Sequence, residues 1–211
     1  MKNNIGVKMK QSRSYREEKR IEKENNLKEI NIANANQKFK ESILRFNNIS
    51  KDDKIYFSNY VGFKKYFECN IYDLDKEENI DTIKNYHYMS INLNQLFMGS
   101  DLNMEKLKNS FACLIDIDAN NLKDRDLVIK YALSNYSGKI ISIATKSPEV
   151  ESKHRYGAHI LIYCYKNLKL YEKIHKDFIN KFDCVDKYIF FACVKNPMYK
   201  YFKYLNKEDF K

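Results

Sequence analysis

Phe111-Ala112-Cys113-Leu114-Ile115-Asp116-Ile117-Asp118 is an apolar run that ends in two carboxylates one residue apart. Side chains alternate along a β-strand, so Asp116 and Asp118 project from one side of a strand whose other side is apolar. Two like charges that close are costly unless something positive lies between them. A divalent cation bound by hard carboxylate oxygens is one such partner. The same residues also suit a strand end running into a turn, because Asp118-Ala119-Asn120-Asn121 is good turn composition. On these residues alone both readings stand.

The pattern extends outward from this strand, taken as Ala112 to Asp118. Lys123 to Ser137 reads as a helix with Leu127, Val128, Tyr131, Ala132 and Leu133 apolar, stopped by Gly138. Lys139 to Thr145 is β-branched and apolar and reads as a second strand. A polar loop, Lys146 to Tyr156, leads to a third strand, Ala158 to Tyr165. Leu170 to Phe182 then reads as a helix with Ile174, Phe178 and Ile179 inward. Upstream, Met104 to Asn109 suits a short helix, and Lys54 to Met89 is an aromatic-rich α/β region. The expected class is therefore α/β (α+β), with helices on one face of a mixed sheet.

Residues 1–48 form a separate, partly helical extension, and 49–211 the main domain. The extension opens with Lys2, Lys8, Lys10, Arg13, Arg16, Lys19 and Arg20. It is expected to be a frayed basic tail followed by one or two charged helices, the second docking through Phe39, Ile43 and Leu44. Arg13 and Arg16 are candidate nucleic-acid contacts, and a merely solvated helix is the competing reading.

Of the 211 residues, 44% are hydrophobic and 14% aromatic, enough for a packed core. No apolar run approaches the roughly 20 residues that span a bilayer, and the start lacks a signal-peptide core, so a cytoplasmic protein without membrane contact is expected. The five cysteines include no C-x-x-C pair, which suits reduced core thiols rather than disulfides or a zinc site. A formal net charge of +10 favours a polyanionic partner, although a lysine-rich solvated surface produces the same excess.

The two prolines, Pro148 and Pro197, both lie in segments with candidate chemistry. After Pro148 comes Gly157-Ala158-His159-Ile160-Leu161-Ile162-Tyr163, where His159, Leu161 and Tyr163 share one strand face. If the isoleucine face meets helices, His159 looks to the open side, where Asp116 and Asp118 also point. Before Pro197, Asp183 and Asp186 offer a third acid, and Lys195-Asn196-Pro197 is a turn that could meet a phosphate. Met198 to Lys211 interleaves Tyr199, Tyr201, Phe202 and Tyr204 with Lys200 and Lys203. That pattern suits a platform for single-stranded nucleic acid, or an amphipathic core helix.

Asp-x-Asp at 116 and 118, Gly-x-His at 157 to 159 and a later aspartate resemble, in this order, the three motifs of the archaeo-eukaryotic primase superfamily. The resemblance is nearer to one branch, the plasmid replicase family of Rep initiator primases from theta-replicating, colicin-E-type plasmids. Its pattern is an apolar-Asp-Ile-Asp strand, a proline-containing loop into Gly-His-Ala-His-Leu-x-Tyr, and an aspartate nine residues before Lys-Asn-Pro. Ile115 to Asp118, Ser147-Pro148, Gly157 to Tyr163, and Asp186 with Lys195-Asn196-Pro197 carry it, over about residues 111–205.

The resemblance implies a primase-polymerase core with an RRM-like sheet, and a replication initiator that makes short primers on a DNA template. A 3′-hydroxyl would attack the α-phosphate of a nucleoside triphosphate at Mg²⁺ or Mn²⁺, as two ions roughly 3.5–4 Å apart. It further implies Asp116, Asp118 and Asp186 as metal ligands, with Asp183 in reserve, and His159 and Lys195 as nucleotide contacts. Arg13, Arg16, Lys200, Tyr201 and Lys203 would hold the template, and host replication proteins are candidate partners.

Two departures qualify the match. The family's first loop histidine is missing, His154 being the nearest. The chain also ends soon after Lys-Asn-Pro, without room for the origin-recognising region such replicases carry, so a catalytic fragment or a reduced stand-alone member is expected. Two other readings compete. One is a non-catalytic nucleic-acid-binding initiator or regulator with a primase-like fold. The other is a rolling-circle initiator or relaxase, which binds metal through His-x-His, although Leu161 holds the second position here.

Overall fold

The structure is a computed structural model that describes residues 19, 31–59, 65–94, 106–146, 156–187, 193–199 and 202–204. A helix over 31–44 (α1) leads into β1 (Lys54–Ser58), β2 (Phe67–Asn70), α2 (Glu77–Ile83) and β3 (Tyr88–Ser90). Then come β4 (Ala112–Ile117), α3 (Leu122–Tyr136), β5 (Ile140–Lys146), β6 (Ala158–Tyr163) and α4 (Leu168–Ile179), and finally β7 (Cys193–Lys195) and β8 (Phe202–Tyr204). Short 3-10 turns occupy Ile71–Asp73 and Lys106–Asn109, the second where a short helix was expected. The strands make two four-stranded sheets, ordered β2-β1-β3-β7 and β4-β6-β5-β8. The class is α+β.

Among the described residues every strand pairing is antiparallel, which corrects the expected mixed sheet. The crossover through α3 does return β5 in the same direction as β4. However, β6 turns back from β5 and slots between the two, pairing with both. The result is a split β-α-β unit with no parallel neighbours.

The helices form where local signals start them. The side chains of Asn121 and Asn167 accept the backbone N–H groups of Asp124 and Leu170, each at 2.9 Å, closing the first turns of α3 and α4. The two helices lie side by side. Tyr131 of α3 meets Phe178 of α4 edge-on at 5.4 Å, and the Tyr131 and Tyr136 hydroxyls both donate to Asp177. On α3 the buried residues are Val128, Ile129 and Ala132, whereas the apolar Leu127 is 50% exposed. The Cys113 thiol donates to the Tyr171 carbonyl at 3.6 Å, so α4 covers the side of β4 that carries Cys113, Ile115 and Ile117.

The opposite face of the sheet is covered as well, which corrects the expectation of an open side. Leu114 and Leu161 are 1% exposed, and the Phe46 ring stacks on Tyr163 at 3.6 Å and 4°. Helix α1 supplies this cover by burying Phe39 and Ile43 completely and Leu44 in part, as its sequence predicts. The Asn36 amide donates to the Leu74 carbonyl, and the Arg45 guanidinium to the Ile140 carbonyl. Burying side chains such as Phe39 contributes about 1.5–3 kcal/mol each. Residues 31–44 therefore share one core with the rest of the described chain.

Cys69, Cys113, Cys164 and Cys184 are free thiols. Burial pushes Cys69 and Cys164 up to about 12 and Cys113 well above its ordinary range, which keeps them protonated at neutral pH. At the C-terminal side, residues 202–204 form strand β8 along β5, so that part of the tail is a strand and not a helix.

Candidate functional site

The antiparallel register gathers the candidate residues into one row. Asp116 on β4 stands opposite His159 on β6, His159 opposite Ala144 on β5, and Ala144 opposite Tyr204 on β8. Along the outer edge of β4 runs the segment 184–186. Ile117 forms a bridge with Val185, the Asp118 N–H donates to the Cys184 carbonyl at 2.8 Å, and the Asp186 N–H donates to the Asp116 carbonyl at 2.9 Å. Asp186, rather than Asp183, is therefore directly across from Asp116. Opposed residues in such a ladder hold their Cβ atoms about 4.5–5.5 Å apart.

Next to this row a small open cleft lies at the strand ends, lined by Asp116, Asp118, His159, Lys195 and the small residues Ala144, Gly157 and Ala158, with Ile117 and Thr145. Small and apolar residues make up much of the lining, and two acids, a histidine and a lysine stand along it. Asp186 is in register with Asp116 but is not among the cleft's lining residues.

His159 is held at both ring nitrogens. Its Nε2 lies 3.1 Å from Asp116 Oδ1, and its Nδ1 accepts the backbone N–H of Lys195 at 3.3 Å. An Nδ1 that accepts a hydrogen bond leaves the neutral ring's proton on Nε2, where it donates to Asp116. Side-chain exposures of 11% for His159 and 22% for Asp116 put the pair at the cleft wall, partly shielded from water. The Lys195 contact comes from the edge strand of the other sheet, so the site is built where the two sheets meet.

Of the Lys-Asn-Pro turn, only Lys195 reaches the cleft. Asn196 is fully buried and makes structural contacts instead. Its Nδ2 donates to the carbonyls of Ile83 and Tyr86, both at 2.9 Å, and its Oδ1 accepts the Met198 N–H at 3.0 Å. Pro197 is buried beside it. Sequence reading missed this role, because the partners of Asn196 lie more than a hundred residues away. It also missed Ala144 and Thr145, which carry no chemical signal of their own.

Arg13, Arg16, Lys200 and Tyr201 lie outside the described residues, and Lys203 stands in β8 opposite Thr145. Among the described residues, no group of three or more His, Cys, Asp or Glu side chains is arranged to hold a metal ion. The donor chemistry at the cleft nonetheless suits a hard divalent cation, since Asp116 and Asp118 present carboxylate oxygens to the same space. Among the described residues, no helix is long and apolar enough to cross a membrane. No family model, curated protein or solved structure matches this chain.

Proposed function

We propose that this chain is a metal-dependent nucleotidyltransferase of the primase-polymerase type, acting as a plasmid replication initiator that makes short primers on a DNA template. One observation carries the reading: the register that aligns Asp186, Asp116 and His159 in a row beside a cleft that Asp118 and Lys195 also line. The order of elements adds support. β4, α3, β5, β6 and α4 with β6 in the middle, and 184–186 along β4, fit an RRM-like core.

In this reading a nucleoside triphosphate binds at the cleft with its phosphates toward Lys195, while His159, whose Nε2–H donates to Asp116, contacts the sugar from the cleft wall. Lysine supplies a point charge to the phosphates. Gly157, Ala158 and Ala144 keep the wall on which the nucleotide would lie free of large side chains. The 3′-hydroxyl of the primer attacks the α-phosphate and pyrophosphate departs. Asp116 and Asp118 would hold Mg²⁺ or Mn²⁺, with Asp186 one strand away, and the ion would stabilise the charge that develops on the phosphoryl oxygens. Arg13, Arg16, Lys200, Tyr201 and Lys203 are the proposed template contacts.

A second reading has an observation in its favour. Asp116 is engaged by His159, and the three aspartates do not form one ligand group, as suits a primase-like fold that binds nucleic acid without catalysis. The relaxase reading loses support, because Leu161 is buried where the second histidine would have to face a metal. Incubation with a single-stranded template, labelled nucleotides and Mg²⁺ or Mn²⁺ separates the two remaining readings. The enzyme makes short labelled products. The binder makes none, while its affinity for DNA falls steeply with salt.

A further inference from the structure

Asn196 is outside the cleft, yet every polar group it has is committed. Its amide donates to Ile83 and Tyr86 at the C-terminal end of α2, its Oδ1 accepts from Met198, and its own N–H donates to the His87 carbonyl at 2.8 Å. Carbonyls at a helix end lack intrahelical donors, so the Asn196 side chain serves as a cap supplied from a distant part of the chain. A fully buried side chain with this many partners has one position available to it.

The residue before it is Lys195, the last of the three residues of β7. Among the described residues, that strand is the edge of its sheet and pairs only with β3. A strand this short does not fix its own end, and the Asn196 anchor does. With the backbone fixed there, the Lys195 N–H points away from β3 and into His159 Nδ1. His159 in turn directs Nε2 at Asp116. Hydrogen bonds joined through the Lys195–Asn196 backbone therefore link the end of α2 to the carboxylate on β4.

We propose that Asn196 is a positioning residue, which seats the Lys195 N–H and through it holds His159 against Asp116. This holds whatever the cleft transforms; its effect on primer synthesis rests on the nucleotidyl-transfer reading. The test reads the His159 ring directly, by the nitrogen-15 shifts of its imidazole at one fixed pH, assigned by their loss in His159→Gln. Wild type should show a single tautomer, with Nδ1 unprotonated and hydrogen-bonded. In Asn196→Ala the two nitrogens should move toward each other, as for a ring that samples both tautomers.

A second pair of variants isolates the N–H itself. Lys195→Ala removes the ammonium and keeps the N–H, whereas Lys195→Pro removes the N–H at an edge position where proline is tolerated. The proline variant should reproduce the Asn196→Ala shifts, and the alanine variant should not. If Asn196→Ala does not fold, this pair decides alone. Wild-type His159 shifts in folded Asn196→Ala, or identical shifts in Lys195→Pro and Lys195→Ala, would overturn the proposal.

Activity separates this inference from the reading it deepens. If both hold, Asn196→Ala lowers kcat for primer synthesis about 10–100-fold, the usual effect of losing a positioning contact, with a smaller change in KM. Shifts that move in a protein that makes no primers leave the positioning role standing and remove the reading. Synthesis at the wild-type rate with unmoved shifts does the reverse.

Discussion

At one end of the β4–β6 ladder Ala112 stands opposite Tyr163, and at the other Asp116 stands opposite His159. Both pairs share a register and a face of the sheet. At the first end Ala112 is fully buried, and Phe46 stacks on the partly buried Tyr163, which packs against the core. At the second end the cover stops, and the side chains line a cleft. Alternation decides which face a residue takes, but the boundary of the covering layer decides whether that face packs or works. Between the two ends, Leu114 and Leu161 mark the last fully covered row.

The comparison is sharpest across two positions of β6. Leu161→Ala should cost about 2–5 kcal/mol of stability, read by chemical denaturation, because the covered row cannot collapse around the cavity. His159→Ala should lower primer synthesis about 100-fold in a steady-state assay, with a much smaller loss of stability. If His159→Ala unfolded the protein while Leu161→Ala did not, the division of the ladder into packed and working ends would be wrong.

A smaller effect concerns pH. Folding raises the Cys69 and Cys164 thiols from an ordinary 9.0 to about 12. Between those values the unfolded chain binds fewer protons than the folded one, so stability falls as pH rises through the window and is unaffected by these groups below it. The slope is about 1.4 kcal/mol per pH unit for each thiol. Urea midpoints at pH 8 and 10 check it, and Cys164→Ala should lose part of the decline.

The smallest predicted effect separates the two candidate third acids. Asp183 is exposed and off the row, so Asp183→Ala should change stability by less than about 0.5 kcal/mol and leave synthesis at the wild-type rate. Asp186→Ala, opposite Asp116, should slow synthesis.

The packed end was easier to read from sequence than the rest of the molecule. β4, α3, β5, β6 and α4 fall within a few residues of their expected bounds, because each carries a strong apolar period and an asparagine cap or turn at its border. The sheet of β1, β2, β3 and β7 was not legible, since strands of three to five residues carry too little period to register. Nor did any local signal announce that β6 would insert between β4 and β5. Within the site, the shared face of Asp116 and His159 followed from alternation alone. The Lys195 N–H and the Asn196 anchor did not, because both depend on a contact between two sheets.

Primer synthesis by the Asp116→Ala/Asp118→Ala double variant tests the central claim most directly. With a single-stranded template, labelled nucleotides and Mg²⁺ or Mn²⁺, wild type should yield short products. The variant should yield none, while unfolding at a denaturant concentration close to that of wild type. Wild-type product levels from the folded double variant would contradict the account.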